Sequence, residues 1–383
     1  MKIIHFCLSS FFIDGRLYQE NELVREHVRA GHEVLVVAST ETFDAQGHVF
    51  YTEADDYTGV EGARVIRLRY RRRIPHVLAR RLRSYPGVRD ILEEFTPDAI
   101  MFHGSSAWEL RTVARYVRDT PRVVFNIDSH SDAINSGRSL LSREILHKRF
   151  YAPILRRAMT SSGPLLCVSL TMMDYARDIY KIPPKQLEFY PLGGRIPPRE
   201  ASEKMRVSTR RRLCTSDSDL LIVQSGKQNR LKKLPQSLRA FAQTENPHLR
   251  FVIAGVLQEE IREECEALIV ADQRITFLGW QGADELTELL CAADVYLQPG
   301  TQSATMQHSL CCSCALILDS LPAHEPYIVG NGWLVDSEEG LRKAFHDLSH
   351  VDIEAMKKRS LKLAQRMLDY SALAKRILVS GKK

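Results

Sequence analysis

Asp128, His130, Asp132 and Asn135 bring two carboxylates, an imidazole and an amide together within one short stretch, with His103 a candidate to join them. Such a set supplies both the acceptors and the donors that sugar hydroxyls require. A second chemistry is written into LQPGTQSATMQHSLCCSCALI, Leu297 to Ile317. There an apolar strand enters a Pro-Gly turn, a Ser/Thr-rich loop and a helix start. A loop opening a helix offers unpaired N–H groups and the positive end of the helix dipole, so Thr301, Gln302, Ser303, Ala304 and Thr305 suit an anion such as a phosphate.

The elements that must position these residues alternate along the whole chain. Strands are expected at Ile3-Ile4, 33–37, 63–68, 99–102, 123–127 and 165–168, with a helix at 20–30 ending on Gly31. After Pro197-Pro198 the pattern restarts at 220–223, 251–254, 275–278, 295–297 and 315–318, with a helix at 234–244. Short continuous apolar runs separated by helices indicate parallel sheets covered on both faces. The expected fold is therefore α/β, with two Rossmann-like doubly wound domains facing across a cleft. Their boundaries are expected at 1–197 and 198–365, followed by a C-terminal helix at 366–383 that crosses back to the first domain. A length of 383 residues suits two domains of roughly 190 each. In such sheets ligands sit beyond the carboxyl ends of the strands, which adds Gly15, Gly226, Lys227, Gly279 and Trp280 to the candidates.

Composition excludes several classes. Apolar content of 44% and charged content of 26% are ordinary for a globular protein, and no apolar run approaches the ~20 residues of a membrane span. The net charge of +6 suits anionic partners without requiring nucleic acid. MKIIHFCLSSFF lacks a small-x-small cleavage site and reads as a first buried strand rather than a signal peptide. The cysteines show no paired CxxC spacing, so Cys311, Cys312 and Cys314 are expected as small buried thiols rather than metal ligands. The segment after the first strand, CLSSFFIDGR, lacks G-x-G-x-x-G, which argues against a nicotinamide oxidoreductase. Asp217-Ser218-Asp219 precedes a strand and reads as a turn.

Six segments in order make the chain resemble the retaining glycosyltransferases of family 4, which have the GT-B fold. RAGHEVLVVAST, SLTMMDYARDIYKIPPKQLEFYPLGG, IVQSGKQNRLKKLPQSLRAF, FVIAG, ITFLGW with ELLCAADVYLQPG, and NGWLV each stand where the family has a similar stretch. The resemblance implies transfer of a sugar from a UDP- or GDP-linked donor to a glycan or lipid-linked acceptor in cell-surface polysaccharide synthesis. It implies no cofactor beyond the nucleotide-sugar co-substrate, and no metal. Lys227 then takes the family's first basic position and Lys232 the lysine that follows it, both aimed at a diphosphate, while Lys233 stands where the family has glycine. Asp128 falls on the family's usual histidine, with His130 two residues later, and Gly15 on its glycine loop. Asp128, His130, Lys227 and Lys232 are the implied catalytic set, and His103, Asp132 and Asn135 the acceptor side.

Two family carboxylates are replaced. Gly300 stands at the one that reaches the sugar, and His308, beside Gln307, at the one that accepts from ribose. Gln307 or His308 could still bond ribose, and Thr301, Gln302 or backbone amides the sugar. A binding subunit without catalysis is the alternative. Finally, RYRRRIPHVLARRLR from Arg69 to Arg83 places Arg71, Arg72, Arg73, Arg80, Arg81 and Arg83 among apolar residues. Near an anionic membrane each such charge contributes about 1 kcal/mol, so a cytoplasmic protein peripheral to the membrane's inner face is expected.

Overall fold

The computed structural model describes residues 1–16, 18–43, 48–132, 139–348 and 351–379. The chain divides into two compact units, Met1–Pro191 with Tyr370–Lys383, and Leu192–Asp369. The first division falls ahead of the expected 197/198 because Gly193 and Gly194 are tied into the second unit. The Gly193 amide donates to Gln307 Oε1 (3.2 Å) and the Gly194 amide to the Leu368 carbonyl (2.9 Å). The last division moves from 365/366 to 369/370 because the helix Ile353–Met367 buries Met356, Leu363 and Ala364, and its Ser360 bonds Asn331 of that unit.

In the first unit the strands are β1 (Lys2–Cys7), β2 (Glu33–Ser39), β3 (Glu41–Phe43), β4 (Val49–Tyr51), β5 (Asp56–Thr58), β6 (Arg64–Leu68), β7 (Ala99–Phe102), β8 (Val124–Ser129), β9 (Leu165–Cys167) and β10 (Leu187–Phe189). Eight of them form one sheet in the order β10-β9-β8-β7-β1-β2-β6-β5, parallel except for the edge strand β5. The chain reverses its winding between β1 and β7, the place where such sheets hold ligands; here the loops after the two strands touch, Ser9 Oγ donating to the Ser106 carbonyl at 3.2 Å. The helix Gln19–Arg29 and the terminal helix Tyr370–Val379 share a buried cluster with this sheet: Leu23, Met101, Leu166, Tyr190, Tyr370, Leu373, Ala374 and Ile377.

The second unit holds β11 (Leu220–Gln228), β12 (Leu249–Leu257), β13 (Ile275–Phe277), β14 (Val295–Gln298), β15 (Ala315–Asp319) and β16 (Gly332–Val335). All pair in parallel in the order β13-β12-β11-β14-β15-β16, the doubly wound order of a dinucleotide-type fold, with its reversal between β11 and β14. Ile222, Phe251, Ile253, Val295, Leu297 and Ile317 fill the core under the helix Leu234–Ala242. Cys311, Cys312 and Cys314 are buried free thiols in this unit.

Candidate functional site

In the second unit the strand reversal brings together the ends of β11 and β14. After β11 a short turn, Arg230–Lys232, leads into the helix Leu234–Ala242 through Lys233, whose φ of +53° is left-handed. That conformation is what the expected family glycine supplies freely; here a lysine adopts it, and its Nζ is held by Asp319 at 2.7 Å. Lys232 is half-buried and donates to the Thr301 carbonyl at 2.6 Å. Burial lowers its pKa to about 8, so it remains largely an ammonium at neutral pH, with two further N–H donors uncommitted to Thr301.

The loop after β14 is clamped to that turn. The Thr301 amide donates to the Leu231 carbonyl (3.2 Å), and its carbonyl also accepts from Gln298 Nε2 (2.5 Å). A Cβ on Gly300 would lie 2.0 Å from the Leu231 carbonyl oxygen, so only glycine fits. Ser303, expected near the anion, caps the helix Ala304–Cys311. Its Oγ accepts from the Met306 amide (3.3 Å) and donates to Gln298 Oε1 (2.6 Å). The cap leaves the amides of Ala304 and Thr305 as first-turn donors for an anion. Gln302 Nε2 reaches the Tyr327 hydroxyl at 3.2 Å.

Gln307 and His308 turn inward rather than toward open space. Gln307 is fully buried, with Oε1 taken by the Gly193 amide and Nε2 unpartnered. His308 Nε2 is likewise buried and unpartnered, and burial followed by Arg195 lowers its pKa to about 4. A neutral imidazole and a primary amide with free nitrogen remain there. Gly226 and Gly255 face each other on β11 and β12 so closely that a Cβ on Gly255 would meet the Gly226 carbonyl oxygen at 1.9 Å. Lys227 is exposed at the end of β11, as is Trp280, and Gly279 accepts from the Gly255 amide at 2.7 Å. Sequence reasoning missed Gln298, which ties Thr301 to Ser303, and His324. The latter is fully buried with Nδ1 on the Asp319 carbonyl (2.9 Å) and Nε2 unpartnered. Their positions at and just beyond strand ends were the only available signal.

In the first unit the reversal between β1 and β7 assembles a different chemistry. Register places His5 opposite Met101, and Met101 opposite Asn126, so His5, His103 and Asp128 project from one face. His103 Nδ1 lies 2.7 Å from Asp128 Oδ2, and the Gly104 amide donates to Oδ1 at 2.6 Å. His130 Nε2 stands 3.4 Å from the same Oδ1. Burial opposes ionisation of Asp128, but His130 and then His103 outweigh it and hold the carboxyl below the usual range. Burial likewise opposes protonation of His130, and Asp128 outweighs it, raising the pKa to about 9. Ser105, Ser106, Ser129 and Ser131 line the same strand ends, their hydroxyls 3.0 to 3.5 Å apart. Asp132 is half-buried beside them, and Asn135 lies outside the described residues.

Gly15 has a φ of +75°, its amide is taken by Glu61 Oε1 at 3.0 Å, and a Cβ added there would meet no protein atom within 4 Å. Three of the six arginines expected to face a membrane are engaged within the unit. Arg71 bonds Ser84 Oγ and the Tyr85 carbonyl, Arg80 bonds Glu41 (2.7 Å), and Arg83 bonds Ser9 and the Ser106 carbonyl. Arg72, Arg73 and Arg81 are exposed, beside Val77 and Leu78.

The family described as "Glycosyl transferase 4-like domain" matches residues 20–193, and "Glycosyl transferases group 1" matches residues 219–350. The chain belongs to the family 4 glycosyltransferases. Solved structures agree on the GT-B fold. A glycosyltransferase from Rickettsia africae is 13% identical with a TM-score of 0.69, over 98% of this chain and 96% of that one. Sucrose-phosphate synthase from Thermosynechococcus elongatus is 15% identical with a TM-score of 0.66, over 98% and 97%. HepE from Anabaena, in complex with UDP, is 14% identical with a TM-score of 0.65, over 98% of each chain. No curated protein matches the sequence at a significant level. Within this glycosyltransferase the loop Gly300–Thr305 has a steric cause for its departure from the family pattern: the Leu231 carbonyl occupies the space a glutamate at 300 would need.

Proposed function

We propose that this glycosyltransferase moves a sugar, with retention of configuration, from a UDP-linked donor to a hydroxyl of a glycan or lipid-linked acceptor in cell-surface polysaccharide synthesis. The observation that carries the reading is the half-buried Lys232 ammonium anchored to the loop that opens the helix Ala304–Cys311. In the reaction the bond from the anomeric carbon to the distal phosphate breaks and a bond to the acceptor oxygen forms on the same face. The acceptor proton passes to the departing phosphate oxygen. Charge accumulates on that phosphate, where Lys232, Lys227 and the amides of Ala304 and Thr305 stabilise it more than they stabilise the bound donor. No metal is needed for that charge, since two ammonium groups and a helix start supply it. HepE in complex with UDP-glucose supports the choice of uridine.

The first unit supplies the acceptor edge, with His130 and Asp132 bonding hydroxyls and the buried Asp128 holding His130. Among the described residues no helix is long and apolar enough to cross a membrane. Arg72, Arg73 and Arg81, with exposed Val77 and Leu78, would hold the protein at an anionic cytoplasmic surface. Flotation with anionic vesicles that fails to weaken as salt rises would remove that part.

The main test is a thermal-shift comparison of UDP, GDP, ADP and CMP, since a ligand at 100 times its Kd stabilises by about 2.7 kcal/mol. UDP should give the largest shift, and purified protein should then release UDP from a UDP-sugar. Shifts from none of the four would overturn the reading. Gly300 and His308 favour one alternative, a nucleotide-sugar-binding subunit, which UDP binding without turnover over a panel of sugars and acceptors would select.

A further inference from the structure

Behind Asp128 runs a buried file of three histidines that glycosyl transfer as described does not use. His27 Nε2 lies 3.0 Å from the Ala374 carbonyl, His27 Nδ1 2.9 Å from His5 Nε2, His5 Nδ1 2.9 Å from His103 Nε2, and His103 Nδ1 2.7 Å from Asp128 Oδ2. All three rings are buried. We propose that His5, His27 and His103 are positioning residues that hold one proton beyond those of three neutral imidazoles, against Asp128, and through Asp128 set the charge of His130.

The count follows from the ends of the file. The Ala374 carbonyl can only accept, so His27 Nε2 carries a proton. An ionised Asp128 can only accept, so His103 Nδ1 carries one as well. Each of the two ring-to-ring contacts needs one proton between its nitrogens. Four contacts therefore need four protons, and three neutral imidazoles carry three. With Asp128 ionised, any other count sets two buried lone pairs against each other or leaves a buried polar atom unsatisfied. The fourth proton belongs beside the carboxylate, so His103 is the ring protonated on both nitrogens. The directions at the other rings agree: burial, then His27 and His103, lower His5 well below its usual range, and burial lowers His27 to about 4.

Other groups face the file without changing the count. Cys7 on β1, Cys167 on β9 and Tyr190 are kept protonated by burial, and His32 lies beyond His27. Glu20 adds a negative field at His130 and Cys7, and Arg67 a positive one at Cys7. With the file intact, the His103 imidazolium balances Asp128 from one side while His130 approaches from the other. If the file is broken, His103 loses its acceptor and its extra proton, and Asp128 is left with His130 alone.

The consequence for catalysis rests on the reading that His130 stands at the reacting edge, but the count can be tested without substrate. Long-range ¹⁵N–¹H spectra of the folded protein at neutral pH should show His103 protonated on both nitrogens, and His5 and His27 on one each. Singly protonated rings at all three, or a protonated Asp128 carboxyl, would overturn the proposal, even if no variant folds. In His5→Leu the His103 Nε2 proton should be lost and the His130 titration should move up by at least one pH unit. In His5→Gln it should stay near wild type, because a glutamine amide donates on one side and accepts on the other as a neutral imidazole does. Equal His130 titrations in folded wild type and His5→Leu would also sink it. In an active enzyme the limb of the pH–rate profile that follows His130 should move with His5→Leu and not with His5→Gln, whereas a purely structural role would lower rates equally at every pH. Absence of transferase activity in the wild type would count against the functional reading and leave the proton count standing.

Discussion

At the scale of single residues, Lys232 is where structure and reading meet most directly. Lys232→Ala should lower kcat/KM by an amount equivalent to about 2 to 4 kcal/mol of transition-state stabilisation, the range for a lost charge-stabilising donor. A change under threefold would remove it from the reaction. Because burial sets its pKa at about 8, UDP affinity should fall as pH rises beyond 8, and Lys232→Arg should carry binding to higher pH because guanidinium does not deprotonate there. Isothermal titration at pH 7 and 9 would show both effects. Gly300 yields an opposite-signed expectation. Restoring the family glutamate, Gly300→Glu, should not repair the site but displace the Lys232 turn, costing about 1 to 3 kcal/mol of stability and weakening UDP binding. A gain in turnover would contradict this steric account. The place of Lys232 in the turn before the helix Leu234–Ala242 was legible because motif spacing fixed it. What was not legible is that the Gly193 amide takes the Gln307 oxygen, because nothing in the string of residues places those two groups together. His5 and His27 were missed for a related reason: His5 lies in the apolar run KIIHFC, and its partner His103 is 98 residues away. Strand register, not local pattern, brings them together.

At the scale of elements, strands that are buried on both faces announced themselves as apolar runs, and those of both parallel sheets were found within a few residues. What escaped were pieces whose existence depends on a neighbour. The antiparallel edge β5, the short pair β3 and β4, and β10 and β16 carry weak patterns of their own, and β4 is exposed throughout. The terminal helix is the element whose importance the sequence hides most. Leu373, Ala374 and Ile377 bury against the first sheet, and three of its carbonyls accept from buried donors. Tyr190 Oη donates to Leu373 (2.9 Å), His27 Nε2 to Ala374 (3.0 Å) and Asn126 Nδ2 to Ile377 (2.6 Å). A helix alone would leave the last of these carbonyls to water; here it satisfies buried side chains instead. Leu373→Ala should therefore cost about 2 to 5 kcal/mol in urea unfolding. Removal of residues 370–383 should prevent the first unit from folding, because it exposes the apolar cluster and orphans three donors together. A truncated protein with wild-type thermal stability would show that the helix is dispensable.

For the molecule as a whole, buried imidazoles make stability depend on pH in a direction that can be worked out. Burial lowers the pKa of His27, His147 and His308 to about 4, and lowers His5 and His324 as well. In the unfolded chain each titrates near 6.5. Between about 6.5 and 4 the unfolded state therefore binds more protons than the folded state, and stability falls as pH falls. Asp128, held below the usual carboxylate range, extends the loss to lower pH still. His130 acts with the opposite sign. Its folded pKa of about 9 lies above the unfolded value, so its contribution is complete below 6.5 and is lost as pH rises through 9. Two lowered groups act against it on the alkaline side: Cys291, lowered to about 7 chiefly by its bond to Cys312, and Lys232, which binds its proton more weakly folded than unfolded between about 8 and 10.5. Since groups in both units lose stability in acid, the steep limb should be the acid one, with a maximum near pH 6.5 to 7 and a shallower decline toward 8. Urea unfolding from pH 4 to 9 would trace this profile, and a protein more stable at pH 5 than at pH 7 would contradict it. The variant His130→Gln should flatten the slope between 6.5 and 8 while leaving the acid limb in place, because His130 holds its proton more tightly folded than unfolded.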